Sequence, residues 1–134
     1  MNGLLVDSNV ILDIFLDDPN WAEWSEKTLN HYGGAHDLFI NPIVYTELSI
    51  GFERIEELEK AIEIAGFQIL EMPKEALFLA GKAFLQYRRN KGTKTSTLPD
   101  FLIGAHAAVL NVDLITRDTA RYSAYFPTVN LITP

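Results

Sequence analysis

LPDFLIGAHAAVLNVDLITRD, residues 98–118, is the stretch whose reading decides the fold. Pro99 suits the first turn of a helix, and residues 100–111 then run through Phe101, Leu102, Ile103, Ala105 and Leu110 with Gly104 as the one helix breaker. That reads as a buried helix. Residues 112–116 follow at once, short, mostly apolar and β-leaning, so the chain turns near Asn111 and returns as a strand. A helical leg at about 1.5 Å per residue covers roughly 18 Å, and a strand leg at about 3.3 Å per residue covers roughly 16 Å. The return leg cancels the outward one. Asp100 at the start of the helix and Asp118 just past the strand are therefore expected on one edge of the molecule, although 18 positions separate them. Two acids on one edge point to a cation or a catalytic pair.

Upstream the same alternation recurs. Residues 4–6 are an apolar run that stops at Asp7, and residues 8–16 place Val10, Ile11, Ile14 and Phe15 at helical spacing. A turn at 17–20 leads to a second helix over 21–32 that ends at Gly33 and Gly34, then to a buried strand over 38–40. Asn41 and Pro42 open a third helix reaching Ile50. Residues 54–65 carry Ile55, Leu58, Ile62 and Ala65 on one stripe and glutamates on the other, and Gly66 ends that helix. A strand over 67–70, a long helix over 74–90 and a polar loop over 91–97 complete the approach to Asp100. Beyond Asp118 a short helix over 119–125 and a last strand over 129–131 are expected. Short apolar strands separated by helices imply an α/β protein: three layers, α/β/α, around a central, mostly parallel sheet of about five strands. Ligands of such sheets bind beyond the carboxyl ends of the strands, where Asp7 and Asp118 fall.

Composition bounds the answer. With 134 residues and 48% hydrophobic content, the chain is long enough for one well-filled core and too short for two ordinary domains, so a single domain over 1–134 is expected. The absence of cysteine removes disulfide and thiolate-metal chemistry and fits a reducing cytoplasm. Asp7 and Asp13 interrupt the apolar N-terminus too soon for a signal peptide, and no run reaches membrane-spanning length; a soluble, cytoplasmic protein is expected. Net charge −7 argues against broad nucleic-acid binding through a basic surface. The charge is uneven, however: Lys82, Arg88, Arg89, Lys91 and Lys94 fall close together, while glutamates crowd residues 53–63.

Each acid has a plain structural alternative. Asp7 could cap the helix that follows it, Thr97 to Asp100 resembles a capping box, and Asp118 could cap its own short helix. Glu47 is different. It sits four positions after Ile43 and three before Ile50, on the apolar stripe of its helix, and a carboxylate facing a core costs several kcal/mol unless it is paired or bound to a cation. No basic residue lies within a helical turn of it, so function is favoured over a tertiary ion pair.

LLVDSNVILD, YTELSIGF, LPDFLIGAHA and LITRDTARY, in that order and spacing, resemble the four-acid signature of the PIN-domain ribonucleases, most closely the VapC-type toxins of toxin–antitoxin pairs. The likeness covers nearly the whole chain. It implies a PIN-like fold and an endoribonuclease that hydrolyses RNA phosphodiester bonds with Mg²⁺, or Mn²⁺ in its place. The family's metal-binding carboxylates fall on Asp7, Glu47, Asp100 and Asp118, and its supporting polar positions on Asn9 and Thr116. A small cognate antitoxin and homodimerisation are implied as well. Phe15, Trp21 and Trp24 are candidates for the antitoxin's apolar footing, and an arginine of that partner is expected among the four carboxylates.

The residue types agree with that chemistry. Hard divalent cations take oxygen ligands, and a bound cation relieves the repulsion of clustered carboxylates, acidifies the attacking water and stabilises charge on the phosphate. No histidine is needed as base; His106 is read as structural, and His31 and His36 as solvated. Positive charge for RNA must come from Lys91, Lys94, Arg117 and Arg121, with Arg88 or Arg89 in addition. Two other readings stand beside this one. A haloacid-dehalogenase-like phosphatase would need a second Asp two positions after Asp7, where Asn9 stands; a PIN nuclease of RNA processing would look the same in sequence.

Overall fold

The computed structural model describes residues 2–90 and 97–134. In chain order the elements are β1 (Gly3–Val6), α1 (Ser8–Phe15), α2 (Ala22–Gly33), β2 (Asp37–Ile40), α3 (Pro42–Ser49), α4 (Ile55–Ala65), β3 (Gln68–Ile69), α5 (Lys74–Arg89), α6 (Leu98–Leu110), β4 (Asp113–Ile115), α7 (Ala120–Tyr125) and β5 (Leu131–Ile132). The five strands form one sheet in the order β3-β2-β1-β4-β5, every neighbouring pair parallel. The α/β expectation is met.

Strand composition follows from burial. Leu4, Leu5, Val6, Leu38, Phe39, Ile40, Leu114 and Ile115 are all buried, as central strands covered on both faces must be. Right-handed crossovers place the helices after β1 and β2 on one face and those after β3 and β4 on the other, because the strand order reverses direction at β1. The reversal lies between β1 and β4, which pair as Leu4 to Asp113, Leu5 to Leu114 and Val6 to Ile115. Crevices at such a reversal are where open parallel sheets take their ligands. Asp7 and Asp118 leave the sheet on either side of it.

The helices end where local chemistry ends them. Asn41 caps α3 by accepting the Val44 N–H at 2.9 Å, with Pro42 in the first turn. Gly66 at φ 80° and Asn111 at φ 55° take the left-handed conformation that stops α4 and α6. α5 turns Ala76, Ala80 and Ala83 inward, small residues that let it lie close against α6. Gly104 permits a second close approach: a Cβ there would stand 2.5 Å from the Phe126 ring and 3.0 Å from that of Tyr122, so the glycine is what lets α7 and the turn after it settle on α6.

Two boundaries differ from expectation with consequences. α6 begins at Leu98, ahead of the residue 100 at which the expected helical run starts, which puts Asp100 in the first turn. β5 pairs with β4 through Leu131 and Ile132, because Val129 is buried and closes a turn onto the Phe126 carbonyl before the strand starts. Among the described residues no helix is long and apolar enough to cross a membrane.

Candidate active site

Asp7 is the first residue past β1, and its backbone N–H donates to the Ile115 carbonyl at 2.9 Å, so its position is set by the β1–β4 pairing. Its carboxylate is buried and accepts three hydrogen bonds: Ser8 N–H on Oδ1 at 2.8 Å, and on Oδ2 the Thr116 hydroxyl at 2.8 Å and the Tyr122 phenol at 2.9 Å. Burial raises its pKa above the ordinary carboxylate value, and the charge of Glu47 adds to that, while the hydrogen bonds work the other way. The cap reading and the site reading coexist here, since Asp7 also stands at the N-terminus of α1.

Glu47 projects from α3 and accepts the Ser8 hydroxyl at 2.9 Å. Ser8 therefore ties two acids together, its N–H to Asp7 and its Oγ–H to Glu47. Burial and then the nearby charge of Asp100 raise the Glu47 pKa against the pull of that bond.

Asp100 lies in the first turn of α6, where a helix N-terminus favours negative charge. Among the described residues no side-chain hydrogen bond caps that helix, so the capping box read from Thr97 to Asp100 is not formed among them. The carboxylate instead accepts Arg121 Nη1 on Oδ2 at 2.6 Å. Burial and the charge of Asp7 nevertheless raise its pKa to about 6, outweighing the arginine. Asp118 follows β4; its N–H donates to Thr116 Oγ1 at 3.0 Å, and its Oδ2 lies 3.7 Å from the same Arg121 Nη1. It does not cap α7, where no side-chain cap is made. One guanidinium nitrogen thus reaches both Asp100 and Asp118, which is the shared edge that cancelling helix and strand legs predict.

The supporting residues sort themselves by what they touch. Thr116 donates to Asp7 and accepts from the Asp118 backbone, linking the ends of β1 and β4. Asn9 accepts the Arg117 backbone N–H at 3.4 Å, a long bond that steadies the loop after β4. Arg117, a candidate for RNA in the sequence, is tied to the scaffold: its Nε and Nη2 grip Asp13 at 2.7 and 2.8 Å and its guanidinium lies over the Trp21 ring at 5.1 Å. Arg121 also faces inward, onto the acids. Lys91 and Lys94 lie outside the described residues, and Arg88 and Arg89 are exposed at the end of α5.

Residues that sequence reasoning passed over complete the site. Tyr122, fully buried beneath Gly104, reaches Asp7 because α7 packs on α6; nothing in TARY marks the tyrosine as a partner of an acid 115 positions away. Asp13 could have been found. It is buried on the inward side of α1 with Val10 and Ile11, the same anomaly that singled out Glu47, and it accepts Ser25 as well as Arg117. His106 is structural as expected: its Nδ1 lies 3.2 Å from Asn41 Nδ2, and burial lowers its pKa. His36 contacts the Tyr32 carbonyl through Nδ1 at 3.2 Å, while His31 is exposed.

The donor set is all oxygen: four carboxylates with a threonine hydroxyl beside them and no imidazole or sulfur, which suits a hard divalent cation. Among the described residues no group of three or more acidic, His or Cys side chains stands ready to hold an ion as it is. Two of the four acids are engaged by Arg121.

The PIN domain family model matches residues 4–126. The chain belongs to the PIN domain family. Within it, the chain is 35% identical over 65 residues to Ribonuclease VapC1 of Rickettsia felis, an alignment covering 48% of this chain and 42% of that protein. It thus matches less than half the length of that curated relative. The same PIN fold occurs in VapBC2 of Rickettsia felis, solved bound to a promoter DNA fragment, with TM-score 0.75 and 18% identity over 97% of each chain. A toxin–antitoxin complex from Klebsiella pneumoniae matches with TM-score 0.72 and 21% identity over 98% of this chain and 97% of that one.

Proposed function

We propose that this PIN domain, residues 1–134 acting as one unit, is a metal-dependent endoribonuclease and the toxin of a toxin–antitoxin pair. Asp7, Glu47, Asp100 and Asp118 hold Mg²⁺ or Mn²⁺, and the observation that carries the reading is the meeting of these acids at the sheet's reversal point, where burial and a neighbouring acid's charge raise the pKa of Asp7, Glu47 and Asp100. The relative named a ribonuclease and the toxin–antitoxin complexes among the structural neighbours support the toxin role. Family membership sets aside the phosphatase alternative.

A divalent ion at this edge supplies Lewis acidity toward the phosphodiester. The chain's own residues do the rest. Ser8, Thr116 and Tyr122 orient Asp7, and Ser8 holds Glu47 beside it. No histidine reaches the acids, so proton movement falls to water and carboxylates. The substrate is RNA, met by Arg121 at the rim and by the exposed Arg88 and Arg89 at the end of α5, with Lys91 and Lys94 as further basic candidates from the sequence. A small antitoxin binds against α1 and α2, where Ile11, Ile14, Phe15 and Leu29 on one side and Glu26 and Asp37 on the other line a mixed apolar and polar cavity of about 510 Å³. The working compartment is the cytoplasm and the working form a homodimer.

The test is cleavage of single-stranded RNA by the purified chain. Cleavage is expected with Mg²⁺ or Mn²⁺, none in EDTA, and a fall of at least about a hundredfold for Asp7→Asn, Glu47→Gln or Asp100→Asn. Full activity in EDTA overturns the metal mechanism, and no cleavage under any condition overturns the nuclease.

A further inference from the structure

Arg121 holds a place that a metal ion would contest. Its Nη1 lies 2.6 Å from Asp100 Oδ2 and 3.7 Å from Asp118 Oδ2, and its side chain is largely withdrawn from solvent. Its backbone is fixed, because Tyr122 and Phe126 seat α7 against Gly104 of α6. Its head group is held far less firmly: among the described residues its one hydrogen bond is the single contact to Asp100, made through one of its nitrogens.

The charge balance is also incomplete. The guanidinium reaches two of the four carboxylates, Asp100 and Asp118, while Asp7 and Glu47 stand at the same edge with no ion pair among the described residues. A divalent ion is smaller, carries twice the charge and takes several oxygen ligands at once, so it compensates such a group better than a single arginine nitrogen does. Asp100 Oδ2 cannot serve both fully. An arginine released at this edge keeps its planar donor fork, which matches a phosphate, on a stem long enough to turn toward the rim.

We infer that Arg121 is a resident counter-cation which leaves Asp100 and Asp118 when the divalent ion enters and then binds a phosphate of the RNA strand. The inference rests on the nuclease reading above and deepens it. The exchange makes metal and arginine competitors in the free protein, and metal and substrate cooperative in the complex. It also means that an arginine among the acids, expected from an antitoxin, is already supplied from within the chain.

The experiment is calorimetric titration of the metal-free protein with Mn²⁺, paired with RNA-cleavage kinetics at saturating Mn²⁺, for wild type, Arg121→Gln and Arg121→Lys. Removing a competing ion pair should tighten Mn²⁺ binding by about five- to tenfold in Arg121→Gln, while KM for RNA rises by about tenfold. Arg121→Lys, which keeps the charge, should bind Mn²⁺ nearly as wild type does, and its folding shows that the position tolerates change. A residue that merely shapes the site would weaken Mn²⁺ binding when removed. Equal or weaker Mn²⁺ binding by Arg121→Gln overturns the inference, and so does tighter binding with an unchanged KM. A wild-type protein that neither takes up Mn²⁺ nor cleaves RNA overturns the nuclease reading itself, a distinct result.

Discussion

Arg117 and Arg121 stand four positions apart after the same strand, each pairs with a carboxylate, and their surroundings have opposite logic. Arg117 meets one acid, Asp13, and meets it with two nitrogens; Ser25 donates to the same carboxylate at 2.8 Å and Trp21 lies under the guanidinium. Charge is balanced one to one and the hydrogen bonds are used. Arg121 meets an excess of acid with one nitrogen. The same ion pair is a rivet where charges match and a replaceable occupant where they do not.

The largest effect should come from breaking the matched pair. Asp13 is buried, so Asp13→Ala strands a part-buried guanidinium and Arg117→Ala strands a buried carboxylate, and either should cost about 3–5 kcal/mol in urea unfolding. The double variant Asp13→Leu with Arg117→Met strands neither charge and should recover much of that loss. A cost below about 1 kcal/mol for Asp13→Ala would mean the pair is no rivet, since that is the range of exposed pairs.

At the unmatched pair the sign reverses. The folded protein binds a proton on Asp100 more tightly than the unfolded chain does, with a pKa of about 6 against 3.8. Its contribution to stability is therefore complete below pH 3.8 and lost as pH rises through about 6. The loss in the metal-free protein is at most about 3 kcal/mol, less for the share screened by solvent. Asp100→Asn should melt higher than wild type at pH 7.5 without metal and about equally at pH 4, and Mn²⁺ should raise the wild type alone. If the two melt in parallel across that range, Arg121 already balances Asp100 and the contrast between the arginines collapses.

How much of this was legible in the sequence depends on whether a residue's place is set by the backbone or by its partner. Asp7 and Asp118 were readable because strand ends are readable, Asp100 because a helix leg and a strand leg cancel, and Glu47 because an acid broke an apolar stripe. The sheet and the seven helices of the described residues follow from periodicity and from breakers such as Gly66 and Asn111. Arg117 and Arg121 were not separable, since both are basic residues in one loop and only the tertiary position of Asp13 and Asp100 distinguishes them. Tyr122 was hidden for the same reason: its ring reads as core, and its hydroxyl has meaning only after α7 has packed on Gly104.

Tyr122 supplies the smallest expected effect and the finest probe of the balance of charge. Its phenol is buried, and burial followed by the charge of Asp7 holds its pKa well above the ordinary tyrosine value, so it stays protonated and donates to Asp7. Tyr122→Phe keeps the ring against Gly104 and removes only that donor. Asp7 retains the Thr116 and Ser8 bonds, so the stability loss should be about 1 kcal/mol, the worth of one ordinary hydrogen bond. Because the lost bond had favoured the carboxylate form, the Asp7 pKa should rise further, and the acid limb of the RNA-cleavage profile should move to higher pH. A tyrosine that served only as packing would leave that limb where it was. If the profiles of Tyr122→Phe and wild type superimpose, Asp7 is poised without its phenol, and the excess charge at the site is governed by Arg121 and the cation alone.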